Sequence, residues 1–214
     1  MRNTAVLVIA GLCIVANVAR ADTDHAAGGK QYDVLLADLK GGHTEIDYAA
    51  LREAYANSAH YDPYGEAPGR DAMLAASKAH DCGALLDAAN RVLNDDFTDI
   101  EAHILSADCA AERGDASSAK FHHDVAMGLI RSIARSGDGT TATSPYVVMA
   151  VKEEYAFLTS QGYKVTMQAL VKCGTGECDA MSVEDHDGKK ATFFFDVSRP
   201  MVWLTKQFGA KGAK

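Results

Sequence analysis

The chain has 214 residues and a formal net charge of −8, from 29 acidic against 21 basic side chains. That balance repels polyanions, so a nucleic-acid partner is excluded as the reading of the whole chain, and an anionic membrane surface with it. The length suffices for one well-filled core.

In chain order, residues 1–21 come first. Met1-Arg2-Asn3 gives a positive start, Ala5 to Ala16 is a run of twelve apolar or small residues, and Ala19-Arg20-Ala21 supplies a small-x-small cleavage pattern. Twelve residues at a rise of ~1.5 Å reach about 18 Å, short of the ~30 Å of bilayer hydrocarbon. The segment therefore reads as an export signal cut between Ala21 and Asp22, with a periplasmic or secreted product. Cys13 follows Leu12, where a lipoprotein signal would carry a small residue, so it reads as part of the signal core. Cleavage removes Arg2 and Arg20, moving the charge from −8 to −10, and leaves Cys82, Cys109, Cys173 and Cys178. No later apolar stretch is long enough to span a membrane, and an even number of cysteines suits an oxidising compartment.

Residues 22–43 read as a polar lead-in and a helix, with periodicity from Tyr32 to Leu39. Residues 44–208 read as one globular domain, made of a helical body (44–161), a β-meander (163–197) and a last helix (200–208). Residues 209–214 form a disordered tail. The body opens on a second helix, with Thr44 and Asp47 as a capping box. A loop carrying Pro63 and Pro68 follows, over 60–70. Beyond it, Asp81 and Asp115 stand 34 residues apart, each ending one alanine-rich helix and opening another, with Ala75 aligned on Cys109 and Ala76 on Ala110. A 34-residue period of paired helices resembles the tetratricopeptide superfamily over about 71–136, in the shape of the repeat rather than in its large aromatic positions. A further helix is expected from Pro145 to Gln161, apolar nearly all round and hence buried.

After Gly162 the period becomes two. Tyr163, Val165, Met167, Ala169 and Val171 alternate with mostly polar residues, as do Met181 with Val183 and Phe193 with Phe195. Asp187-Gly188 is a strong hairpin turn signal. The fold class is thus α+β and mostly helical: an antiparallel helical body, a three-stranded antiparallel meander with its apolar face on the 145–161 helix, and a short last helix. This layout pairs Cys173 with Cys178 across a hairpin loop, and Cys82 with Cys109 between neighbouring helix ends. No Cys-x-x-Cys or zinc-ribbon spacing occurs, so no metal and no cofactor is expected.

Ionisable groups fall on apolar helix faces at five positions. His103 lies among Ile100, Ile104 and Ala107; His122 and His123 both fall in the arc of Ala119, Ala126, Ile130 and Ile133. Glu153 joins Tyr146, Ala150 and Phe157, and Glu154 joins Val147, Val151 and Leu158. A buried carboxylate needs a donor, and His103 and His122 are the nearest by level. Such a His–Glu pair more commonly locks helices together than serves a ligand or a reaction. His103, His122, Glu153 and Glu154 are also the catalytic candidates, and His103, His122, Asp138, Glu154 and Tyr155 the ligand-binding ones.

Several short motifs run in order: Ile46-Asp47-Tyr48, Leu51-Arg52, Tyr61-Asp62-Pro63-Tyr64, Asp99-Ile100-Glu101-Ala102-His103, Gly114-Asp115, His122, Ser136-Gly137-Asp138-Gly139, Glu153-Glu154-Tyr155 and Phe195-Asp196. On these the chain resembles the bacterial family catalogued as domain of unknown function 4919, over about 46–197. The resemblance implies that His103, His122, Asp138, Glu153, Glu154 and Tyr155 belong to the family pattern, and it implies no activity. Two functions stay open. The first is an exported tetratricopeptide-like binding protein, whose partner is a protein, a peptide or a small ligand. The second is a small hydrolase with a histidine base oriented by Glu153 or Glu154, under a Ser136–Ser144 lid. No feature specifies an oligomeric state.

Overall fold

Aspartates open four of the helices. Asp47, Asp81, Asp99 and Asp115 each accept, through Oδ1, the backbone N–H three residues on (Ala50, Ala84, Ala102, Ser118) at 3.0 Å. Each such cap satisfies one of the backbone donors that the first turn of a helix leaves unpaired. They start α2 (Tyr48–Ala56), α4 (Cys82–Asp95), α5 (Ile100–Glu112) and α6 (Ala116–Ala134); α3 (Arg70–Lys78) stands between α2 and α4. The computed structural model describes residues 27–211 apart from Glu66, and α1 occupies 27–40. The expected export signal over 1–21, with Cys13, lies outside the described residues. Thr44 is not part of the α2 cap, as the capping box had it. Its hydroxyl turns to Asp124 Oδ2 at 3.3 Å, since the helix begins only after Asp47.

The 34-residue offset is realised as two helical hairpins, α3–α4 and α5–α6, each helix packed on the next. Cys82 and Cys109 are joined at a Cα separation of 5.2 Å, and Cys173 and Cys178 at 5.8 Å. The first closes a sequence separation of 27 and the second one of 5. On the loop-entropy model, the Cys82→Ser/Cys109→Ser protein is expected to lose about 3–4 kcal/mol and the Cys173→Ser/Cys178→Ser protein about 2 kcal/mol. Urea unfolding without reductant measures both, and equal losses would contradict the assignment of the larger constraint to the helical hairpins.

The helix expected from Pro145 begins later. Tyr146–Val147 is a short strand, β1, and the helix, α7, covers Val151–Ser160. Tertiary partners hold the 146–150 segment out of the helix. β1 pairs in parallel with Phe195–Asp196, Arg52 Nη2 donates to Val147 O at 2.8 Å, and Tyr61 Oη donates to Met149 O at 2.6 Å. Strands β2 (Lys164–Cys173), β3 (Gly176–Glu184) and β4 (Lys190–Asp196) form the meander, and β1 joins at the far side of β4, in the order β1-β4-β3-β2. The last helix, α8, runs over Ser198–Lys211, further at both ends than expected; residues 209–211 continue it, and 212–214 lie outside the described residues.

The alternation in β2 also breaks. Val165 pairs with Val183 but Met167 pairs with Ser182, so a bulge at Thr166 shifts the parity. Met167, expected inside, is 60% exposed, and Gln168 takes the face of Met181 instead. The sheet does lie against α7: Phe157 meets Phe195 edge-on with ring centres 6.1 Å apart and Tyr146 at 4.9 Å. One cluster of buried apolar residues runs from Tyr32 through the hairpins to Phe195 and Val197.

Candidate functional site

Arg52 and Glu153 form the most enclosed ion pair among the described residues, with 2% and 3% exposure. Arg52 sits on the stripe Tyr48, Leu51, Tyr55, which turns its side chain into the core. Its Nε donates to Glu153 Oε1 at 2.9 Å and its Nη2 to Oε2 at 2.7 Å, a two-pronged contact. Glu153 Oε2 also accepts Met149 N at 2.7 Å. Expected to meet a histidine, Glu153 meets an arginine instead. The pair clamps β1 and the start of α7 onto α2.

Glu154, one residue on, is fully buried, and neither carboxyl oxygen has a hydrogen-bond partner among the described residues. Burial pushes its pKa up to about 9, with the charges of Asp179 and Glu153 adding to the shift. Asp179 stands on β3 in the row of Met181 and Val183 and is itself buried. Gln168, brought to this face by the bulge, donates from Nε2 to Asp179 Oδ2 at 2.6 Å and accepts from Tyr155 Oη at 2.6 Å. Tyr155 is exposed, so a hydrogen-bonded chain leads from the surface to Asp179. At neutral pH Glu154 is an uncharged acid, which resolves the need for a donor by protonation rather than by a partner.

The two histidines turn to each other. His103, at 0% exposure on α5, has its Nδ1 2.9 Å from Nδ1 of His122 on α6, and its Nε2 lies 3.1 Å from Phe97 O. A carbonyl only accepts, so Nε2 of His103 carries the hydrogen. Neutral His103 then accepts at Nδ1, and His122 donates from its own Nδ1, which leaves His122 Nε2 as a lone-pair acceptor. Burial drives His103 down to about 3, helped by the neighbouring His122, and burial also lowers His122. His123, which the helical arc would also bury, is exposed beside Asp124. The expected His–Glu cluster is therefore a His103–His122 pair, an Arg52–Glu153 pair and a Glu154 without a partner among the described residues.

Asp138 is elsewhere again. It is exposed, and hydrogen bonds from Thr140 N (2.8 Å) and Thr140 Oγ1 (2.9 Å) to its Oδ1 hold its carboxyl below the usual range. The loop that carries it is pinned rather than lid-like at its start. Gly139 O accepts Phe194 N at 2.7 Å, and Gly139, at φ +66°, lies so close to the Tyr146 ring that a Cβ there would stand 2.0 Å from it. The hydrolase arrangement needs a histidine hydrogen-bonded to a glutamate beneath a movable loop. Among the described residues that arrangement is not formed.

A cleft lies instead where α5 faces α7. It has a volume of about 320 Å³, an apolar floor of Ile104, Leu105 and Ala156, and a rim of Arg70, Glu101, Lys152 and Tyr155. The rim charges are held from below. Asp99, which caps α5, takes Arg70 Nη1 at 2.9 Å and Lys152 Nζ at 3.0 Å through Oδ2. Asp96 Oδ2 meets Lys152 Nζ at 2.7 Å as an ion pair, and Arg70 also pairs with Glu101. Desolvation opposes the charge on Lys152, but Asp96 and Asp99 outweigh it and hold the ammonium well above its ordinary pKa. Of the sequence candidates only Tyr155 lines this cleft. Arg52, Asp99, Lys152 and Asp179 were missed as site residues. A signal existed for Arg52, a charge inside an apolar helical stripe. None existed for Asp179, whose face depends on strand register.

The family model described as domain of unknown function (DUF4919) matches residues 32–205, so the chain belongs to that family. No curated protein and no solved structure matches the chain. No helix among the described residues is long and apolar enough to cross a membrane.

Proposed function

We propose that this member of the family is an exported, disulfide-braced binding protein that takes a peptide or small ligand in the cleft between α5 and α7. The observation that carries the proposal is the cleft itself: an apolar floor of Ile104, Leu105 and Ala156, under charged side chains that Asp96 and Asp99 keep in fixed positions. Pre-positioned polar groups around an apolar floor lower the ordering cost of binding. The 34-residue hairpin period supports a tetratricopeptide-like body that presents this face. The signal-like first 21 residues support export, as do cysteine pairs at bonding distance.

Thr159 lies at the exposed lip of the cleft, so Thr159→Trp closes it without touching the core. A random-peptide display library selected on the full chain is expected to yield peptides that bind Thr159→Trp at least about tenfold more weakly, the equivalent of ~1.4 kcal/mol. Selected peptides that bind both proteins equally, or a selection that enriches none, would overturn the reading.

A further inference from the structure

We infer that a second groove, between the end of α2 and α8, binds a small amphiphilic carboxylate: an apolar body that carries one carboxylate group. Arg199, Val202, Trp203 and Lys206 follow one another at helical spacing, so α8 presents a stripe in the order cation, apolar pair, cation. Opposite it stand Ala56 and Tyr61, and the groove between them has a volume of about 540 Å³. That is the size class of small-molecule sites.

The charges select the ligand. Arg199 is anchored by Asn57 Oδ1, at 2.8 Å from Nη1, and by an ion pair to Glu53, so its guanidinium is already partly committed. Lys206, two turns on, is exposed and has no ion-pair partner among the described residues. The groove therefore keeps one uncommitted cation on a protein whose overall charge is −8. Between the two cations, Val202 is 53% exposed and Trp203 is partly buried, held by Tyr64 at a ring separation of 6.1 Å. The indole Nε1 makes no hydrogen bond among the described residues, which leaves an uncommitted donor on a residue that lines the groove. One free cation, one free donor and an apolar wall match a single carboxylate on an apolar body. A polyanion would instead meet the acidic remainder of the surface.

Trp203 is the chain's single tryptophan, so its fluorescence reports this groove alone. The full chain is titrated with 4-phenylbutyrate and with 4-phenylbutanol, by fluorescence and by calorimetry. The carboxylate is expected to saturate the site about tenfold more tightly than the alcohol, the worth of one charge-assisted contact. Lys206→Glu abolishes that preference, Lys206→Arg retains it, and raised salt narrows it. Val202→Asp weakens both probes. Absence of saturable binding by either method would overturn the inference. So would equal affinity for the two probes, or a preference that survives Lys206→Glu. A second copy or the chain's own end covering the groove would show itself as the first of these outcomes.

Discussion

Arg52→Ala is expected to destabilise the protein by about 3–5 kcal/mol, the largest effect of any single change at the site. The cause is what it leaves behind. Glu153, at 3% exposure, would keep its carboxylate without the two hydrogen bonds from Nε and Nη2, and Val147 O would lose its donor as well. Urea unfolding measures the loss, and hydrogen exchange at Val148 and Met149 tests where it acts, because both ends of the pair hold this segment. A paired replacement, Arg52→Met with Glu153→Leu, removes both charges and is expected to recover only part of the stability. Met149 N would still lack the acceptor it finds in Glu153 Oε2, and Val147 O would still lack a donor. A loss below about 1 kcal/mol for Arg52→Ala, the range of a surface pair, would refute the clamp.

The second large effect depends on pH. Glu154 has its pKa raised in the folded state to about 9 from an ordinary value near 4.5. Between those values the folded protein binds the proton and the unfolded chain does not, so this group makes stability fall as pH rises. Relative to pH 4, the cost by pH 7 is about 3 kcal/mol at ~1.4 kcal/mol per unit. Glu154→Gln cannot ionise and escapes it. The comparison that matters is the change in the variant-minus-parent difference between pH 4 and pH 7, because the fixed cost or gain of a buried amide cancels from it. Thermal melts at the two values are expected to show Glu154→Gln gaining on the parent by about that amount. Parallel curves would mean that Glu154 is ionised and partnered in solution. On the acid side the sign reverses. His103 is held neutral down to about 3, so protonation of the unfolded chain below its ordinary value of 6.5 lowers stability there, and Glu154→Gln leaves that limb unchanged.

The wrong partners assigned to the buried glutamates show where helical periodicity stops. Spacing alone put Glu153, Glu154, His103, His122 and His123 on inward faces; the first three are enclosed, His122 is half-buried and His123 is exposed. What spacing does not contain is the rotation and level of one helix against another. His103 and His122 face each other because α5 and α6 are adjacent members of a hairpin. Glu153 faces α2 because the backbone of 146–150 is drawn into the sheet and α7 starts five residues after Tyr146. The same limit explains Asp179. One extra residue at Thr166 decides whether Gln168 or Met167 meets the helix, and with it whether the Tyr155–Gln168–Asp179 chain exists.

Local chemistry settled a good deal without any tertiary information. The 34-residue offset of Asp81 and Asp115, the hairpin at Asp187-Gly188 and both cysteine pairings depend on neighbours a few residues away or on the contact of consecutive helices, and each is realised. The ordered motifs from Ile46 to Asp196 likewise carried the family, whose model spans 32–205. Only the tertiary structure decided which buried charges meet. Desolvation raises the cost of every unpaired group, and the fold meets that cost wherever a partner comes within about 3 Å. For Glu153 that partner is an arginine 101 residues away in sequence. For Glu154 it is a proton, and no periodicity in the chain distinguishes the two.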